Sequence, residues 1–231
     1  MEYLKKILKS LKDIVIVLII QYAIIYGMGV VYLMNGGDDI IAFYTKEVYF
    51  ALNALYIIYV IYFWKKYREK ETRVSIGKYY AAILLGVSFA CFCNMIFFKL
   101  GYKNEVVEIN KIMVIFTSGI LGPILEELLF RKHLLSKLLE FNSKKVAILL
   151  SALLFSFFHH GISFVYAFFM GLLLGVIYEK FKNIKVTILI HMVANITVIF
   201  LTGYNVYILI ISLIGFIASL LLMFDKKVRF K

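Results

Sequence analysis

Ile14–Met34 reads IVIVLIIQYAIIYGMGVVYLM, an apolar run without a single charged residue. As a helix it covers the roughly 30 Å of hydrocarbon in a bilayer, which takes about twenty residues. A soluble domain shows its apolar residues in shorter amphipathic runs instead. Outward from this stretch, seven more blocks of the same kind follow: Val48–Trp64, Tyr79–Phe98, Met113–Phe130, Val146–His160, Ser163–Tyr178, Val186–Leu201 and Tyr204–Phe224. The chain of 231 residues is 63% hydrophobic and 17% charged, with one proline. The expected fold is therefore all-α: a polytopic transmembrane helical bundle of about eight spans. No linker divides it, so 1–231 is expected to form a single integral membrane domain. The first run is too long for the apolar core of a signal peptide, and no small-residue cleavage site follows it, so no cleavable leader is expected. Cys91 and Cys93 flank Phe92 in an apolar block and read as small buried side chains rather than a disulfide framework.

A net charge of +12 would suggest nucleic acid in a soluble protein. In a membrane protein the position of the charges matters more, and no nucleic-acid partner is expected. Eight alternating spans put 22 of the 26 basic residues on one side of the membrane. The other side holds Lys46, Lys99, Lys103 and Lys111, beside Asp38, Asp39, Glu105 and Glu108. The excess of positive charge predicts that both termini are cytoplasmic. Residues 1–12 carry Leu4, Ile7, Leu8 and Leu11 on one face and four lysines elsewhere, the pattern of an interfacial helix held to anionic lipid. The basic loop Lys65–Lys78 is read the same way. The fifth and sixth spans are short and tightly joined near Gly161, and the last two near Gly203, so either pair can be re-entrant.

Of the fourteen acidic residues, Glu126 and Glu127 alone lie within or against a span. A carboxylate at a helix centre costs about 2.5–3.5 kcal/mol on insertion scales. The plain reading is a cytoplasmic helix end facing water, which Arg131 four residues on supports in part. Helix geometry separates the two carboxylates. Glu127 and Arg131 share a face and can pair, whereas Glu126 is rotated by about 100° and stays free for general-base work. Pro123, one turn before Glu126, cannot donate to the Gly119 carbonyl and predicts a kinked or opened helix there. The other polar groups inside the spans are few. His159 and His160 close the fifth, with Phe155 one turn before His159. His191 and Asn195 share a face of the seventh. A lone histidine in such a helix is more often a hydrogen-bond partner than a catalyst. Three such elements on three helices supply the parts of a hydrolase: a base for water, a group to orient it and donors for an oxyanion.

These residues resemble the CAAX-protease and bacteriocin-processing proteins, also called the Abi family of intramembrane endopeptidases. The family signatures EExxxR, FxxxH and HxxxN match, in order, Glu126-Glu127-Leu-Leu-Phe-Arg131, Phe155-Ser-Phe-Phe-His159 and His191-Met-Val-Ala-Asn195. The likeness extends from about Gly119 to Asn195 and includes Gly171 and Gly175; the first three spans and the last carry no comparable signal. It implies that residues 113–201 are the catalytic core helices. It implies Glu126 as the base that activates water, His159 as a holder of that water, and His191 with Asn195 as the oxyanion pair. Glu127, Arg131 and Phe155 would be supporting residues, with some part in the chemistry left open for Glu127. His159 fits FxxxH better than His160, because the residue four before His160 is Ser156. Gly171 and Gly175 suit close helix packing.

The soluble zinc-protease signature HExxH is absent. Glu126, His159 and His191 are nonetheless a set able to hold zinc with water in the fourth position. The family has been read both as metalloproteases and as metal-independent glutamate proteases; the metal-free reading is preferred and zinc is the alternative. The expected partners are membrane lipid and a membrane-associated peptide or protein substrate: a peptide pheromone, a bacteriocin or a prenyl-type substrate. The expected place is a bacterial plasma membrane. Two other readings stand beside the peptidase. One is a non-catalytic protein of bacteriocin self-immunity or scaffolding, and the other a transporter or proton relay using the same glutamates. The peptidase reading has one exposed point. Counted from the cytoplasmic span ends, His159 lies roughly 12 Å deeper than Glu126 at 1.5 Å per residue. The mismatch shrinks where the fourth helix continues past Arg131 into Leu134–Leu139, which moves Glu126 toward mid-membrane.

Overall fold

The computed structural model describes residues 2–38, 43, 47–68, 70–102 and 111–225. Lys46, Lys103, Asp39, Glu105, Glu108, the side chain of Leu4 and the basic residues after Asp225 lie outside that description. The described residues form eight helices and no strands: α1 Glu2–Met34, α2 Tyr49–Lys66, α3 Ile76–Lys99, α4 Lys111–Leu139, α5 Lys144–Ser156, α6 Ile162–Phe181, α7 Ile184–Ile199 and α8 Val206–Phe224. Five of them, α1, α3, α4, α6 and α8, are long and apolar enough to cross a membrane. Each falls on one of the eight apolar blocks, because those blocks lack the turn residues that would stop a helix. The stops are local. Lys182 adopts the left-handed conformation (φ 47°) after α6, and Gly161 (φ 58°) turns the chain before it. Asn183 and Asn205 cap α7 and α8, their side-chain oxygens accepting from backbone N–H groups of the first turn.

Two expectations, on Lys78 and on His159, need correction. The leading basic segment is the first part of α1, which runs unbroken from Glu2 to Met34. Its fourth turn is held to α2 by Asp13, whose carboxylate accepts from Lys66 Nζ at 2.6 Å and from the Tyr67 hydroxyl. His133 of α4 stacks on Tyr67 with ring centres 4.7 Å apart and hydrogen-bonds the Ser10 carbonyl oxygen. Lys78, assigned to a basic loop, lies in α3. It is buried, and its ammonium donates to the carbonyl oxygens of Leu222 and Asp225, the last turn of α8. Finally, α5 ends at Ser156, so His159 sits in the turn beyond the helix rather than on it.

Two apolar cores meet along α6 and α7. One gathers side chains of α1, α2, α4 and α5 around Leu125, Leu134 and Phe155; the other packs α3 and α8 around Leu85, Ala90 and Met223. Both draw residues from α6 and α7. Gly171 and Gly175 pack α6 onto α5, as the small-residue spacing predicts: a Cβ on Gly171 would lie 3.0 Å from Ala152 Cα, and one on Gly175 3.0 Å from Ile148 Cγ2. The outer faces of α1 and α8, with Ile19, Val30, Ile211 and Leu221 more than half exposed, are apolar surface that hydrocarbon would cover.

Candidate active site

The fourth helix carries the acidic pair, and it does run on past Arg131 to Leu139. It is not a uniform α-helix. Ile115–Leu121 and Leu128–Leu135 are π-helical, flanking the short α segment Gly122–Glu127 that presents the two glutamates. Widened turns of this kind recur at functional sites. Pro123 occupies the first turn of the α segment, so its missing N–H falls on the next bond of the π register that precedes it. The opening predicted from the proline is thus a change of hydrogen-bond register.

Glu127 is fully buried between two partners. Arg131 Nη1 lies 3.0 Å from its Oε1, both side chains being 0% exposed, and His191 Nδ1 lies 3.0 Å from the same oxygen. A carboxylate only accepts, so Nδ1 of His191 is the donor and Nε2 is turned the other way. Nε2 stands 3.6 Å from Glu126 Oε2, beyond hydrogen-bond length but within charge contact. The Arg131 guanidinium meets Glu127 as charge on charge, for none of its nitrogens has an aligned hydrogen-bond acceptor. It also lies over the Phe155 ring, 4.4 Å from the centroid to Cζ. That ring is 1% exposed and also packs edge-on against His159 (4.9 Å) and His191 (5.7 Å). Phe155 is therefore the apolar hub around which Arg131 of α4, His191 of α7 and His159 of the turn after α5 are arranged.

Glu126 differs from its neighbour, with a third of its side chain exposed. It faces a cavity of about 220 Å³ that is also lined by Gln21, Tyr56, Phe155 and His159. A second cavity, about 260 Å³, is lined by Ser118, Tyr166, His191 and Asn195, and again by Phe155 and His159. The site thus has two chambers with Phe155 and His159 at their junction. His159 holds its position by an Nδ1 contact of 3.2 Å to the Phe155 carbonyl oxygen. That bond keeps the FxxxH pair together although the helix has ended. His160 lines neither chamber. Asn195 reaches the rim of the second chamber and donates through Nδ2 to the Ser118 carbonyl at 2.9 Å.

Glu126, Glu127, Arg131, Phe155, His159, His191 and Asn195 are accordingly brought together from α4, α5, the following turn and α7. The feared depth mismatch is absent: Glu126 lies thirteen residues before the end of α4, and α5 is thirteen residues long. Both therefore rise about 20 Å from the turn that joins them. Sequence reasoning missed Gln21 and Tyr56. Gln21 was the findable one, as the only amide in the first apolar run, where a polar side chain is costly. Among the described residues no group of three His, Cys, Asp or Glu side chains is gathered closely enough to hold a metal ion. The alternative zinc set Glu126, His159 and His191 is not assembled here, and no step is derived through a metal.

Comparison with known proteins agrees with the motifs. Residues 108–197 match the family model of the type II CAAX prenyl endopeptidase Rce1-like proteins, a membrane-protease family. The matched stretch holds all three motifs and ends two residues past Asn195. No match was found among curated proteins or among solved structures. The resemblance first read from the three motifs is thereby shown across residues 108–197, the Rce1-like part of this membrane protein.

Proposed function

We propose that the protein is an intramembrane endopeptidase in which Glu126 activates water to cleave a membrane-associated peptide or protein. The observation that carries this reading is the convergence of Glu126, His159 and His191 on two adjoining cavities while Glu127 is locked away by Arg131. In the proposed step Glu126 takes a proton from water, and the hydroxide adds to the scissile carbonyl. His191, oriented through Nδ1–H by Glu127 and acting as the imidazolium with a proton on both ring nitrogens, donates through Nε2 to the tetrahedral oxyanion, and His159 at the junction holds the water. The proton on Glu126 then passes to the leaving nitrogen as the C–N bond breaks, giving a carboxylic acid and an amine and returning Glu126 to the carboxylate. We further infer eight spans with both termini cytoplasmic and a bacterial plasma membrane as the site of action. Peptide pheromones, bacteriocins and prenylated C-terminal sequences are the substrate classes this reading admits.

The test is cleavage of an internally quenched peptide with a farnesylated C-terminal CAAX sequence, and of unprenylated apolar peptides, by purified protein. Glu126→Gln is isosteric and cannot take the proton, so its turnover is expected to fall by at least about a hundredfold, the scale of general-base catalysis. Equal cleavage by Glu126→Gln, His159→Ala and His191→Ala would remove the enzymatic reading.

A further inference from the structure

The π turn before the glutamates leaves one carbonyl without a backbone donor. Gly122 N–H donates to the Thr117 carbonyl, five residues back. The next bond in that register would run from residue 123 to Ser118, but residue 123 is proline and has no N–H. Ser118 therefore loses both routes: the Gly122 N–H is spent on Thr117, and Pro123 supplies none. A backbone carbonyl left unpaired in an apolar bundle costs roughly as much as a lost hydrogen bond. The partner comes from another helix. Asn195 Nδ2 of α7 lies 2.9 Å from the Ser118 oxygen. It can reach because α7 passes very close at Gly119, where a Cβ would come within 2.9 Å of Ile196 Cγ1. On the far side, the Thr117 hydroxyl lies 3.0 Å from Asn53 Oδ1 of α2 and bonds the Met113 carbonyl. The turn is thus held by amide side chains from two neighbouring helices. The same turn sets Glu126, whose Oε1 lies over Gly122, 3.8 Å from where a Cβ on that residue would sit.

We propose that Asn195 is a positioning residue: its amide replaces the donor that Pro123 removes from Ser118, and so fixes the π turn that aims Glu126 at His191. This inference rests on Glu126 being the base of the proposed peptidase. It assigns Asn195 an effect exerted through α4 in place of direct contact with the oxyanion.

The two roles differ in their dependence on Pro123. Pro123→Ala restores a backbone N–H for the Ser118 carbonyl, so Asn195→Ala should then matter little. Two readouts apply to the wild type, N195A, P123A and the double variant. One is the rate at which the apolar reagent dicyclohexylcarbodiimide modifies Glu126, followed by mass spectrometry. The other is turnover of the quenched farnesylated peptide. We expect N195A to change the labelling rate of Glu126 by at least about fivefold and to lower kcat more than tenfold with KM nearly unchanged. In the P123A background both effects should shrink to within about threefold. Asn195→Asp, isosteric and without a donor when ionised, replaces N195A where the alanine variant fails to fold. Unchanged labelling in N195A, or a loss of kcat that is the same with and without Pro123, would overturn the proposal in favour of direct oxyanion contact. The labelling arm needs no substrate. A wild type that cleaves no peptide therefore defeats the peptidase reading while leaving the positioning claim to be decided by Glu126 reactivity.

Discussion

Arg131 and Glu127 are buried completely, with the His191 imidazole as the other polar partner of the carboxylate. Breaking such a pair leaves one charge without compensation, which typically costs about 3–5 kcal/mol. Arg131→Met should therefore lower the thermal stability of the detergent-solubilised protein markedly. Adding Glu127→Gln to it should restore more than half of the loss, because the uncompensated carboxylate is then gone. Melting curves of the two single variants and the double variant form the cycle that checks this, and additive losses would show that the pair is not coupled. Glu127→Gln also weakens the acceptor that orients His191 Nδ1. Its turnover should fall about tenfold or more even in preparations that remain folded, since a misdirected imidazole loses its grip on the oxyanion. A folded Glu127→Gln variant with full turnover would assign Glu127 to stability alone.

At the scale of elements, helix-period reasoning found the two faces of the acidic pair but not the turns that carry them. The 100° rotation separating Glu126 from Glu127 is a property of any α segment, and Gly122–Glu127 is one. The π segments on either side insert a residue into the hydrogen-bond ladder without changing apolar composition, so hydropathy gives no sign of them. Pro123 was the local signal; where its lost bond would be repaired depended on a neighbour 72 positions along the chain, which no local pattern encodes. His159 shows the reverse case. Its spacing from Phe155 suggested a helical i,i+4 pair, yet the pairing survives the end of α5 through a bond to the Phe155 carbonyl. The α5–α6 contact was legible because glycine four residues from glycine has few other uses in an apolar helix. It also bears on the proposed chemistry. A Cβ on Gly171 would sit 3.3 Å from Phe155 Cδ1 and 3.0 Å from the α5 backbone at Ala152. Gly171→Val should push α5 outward and shift Phe155 away from Arg131 and His159. The overpacking is worth about 1–3 kcal/mol of stability, and turnover should drop further than stability does. Gly203→Val, where a Cβ meets nothing within 4 Å, is the matched control and should change neither.

For the whole molecule, the orientation of the bundle decides which compartment the chambers draw substrate from. The long cationic turns lie at one end: Lys70 before α3 and Lys145 at the start of α5 are exposed there on the proposed topology. Lys99 at the close of α3 and Gly203 between α7 and α8 are exposed at the other. Lys70 is separated from Lys99 by one helix and Lys145 from Gly203 by three, both odd numbers, so labelling can contradict the assignment helix by helix. In a Cys91→Ala, Cys93→Ala background, single cysteines at Lys99 and Gly203 should react with a membrane-impermeant maleimide in intact cells. Cysteines at Lys70 and Lys145 should react only after the membrane is opened. The reversed pattern would turn the molecule over and place its access on the outside. Labelling at both Lys145 and Gly203 from outside would mean that α5, α6 and α7 do not make three crossings. The shortness of α5 bears on this, since thirteen residues rise only about 20 Å of the roughly 30 Å a crossing needs. On the proposed topology α5 is the shortest of the eight crossings, so the turn carrying His159 is recessed from the far face of the bilayer and lies level with Glu126. On that topology the short α5 brings a histidine and a glutamate to one depth, where the proposed peptidase would meet a peptide bond within the bilayer from the cytoplasmic side.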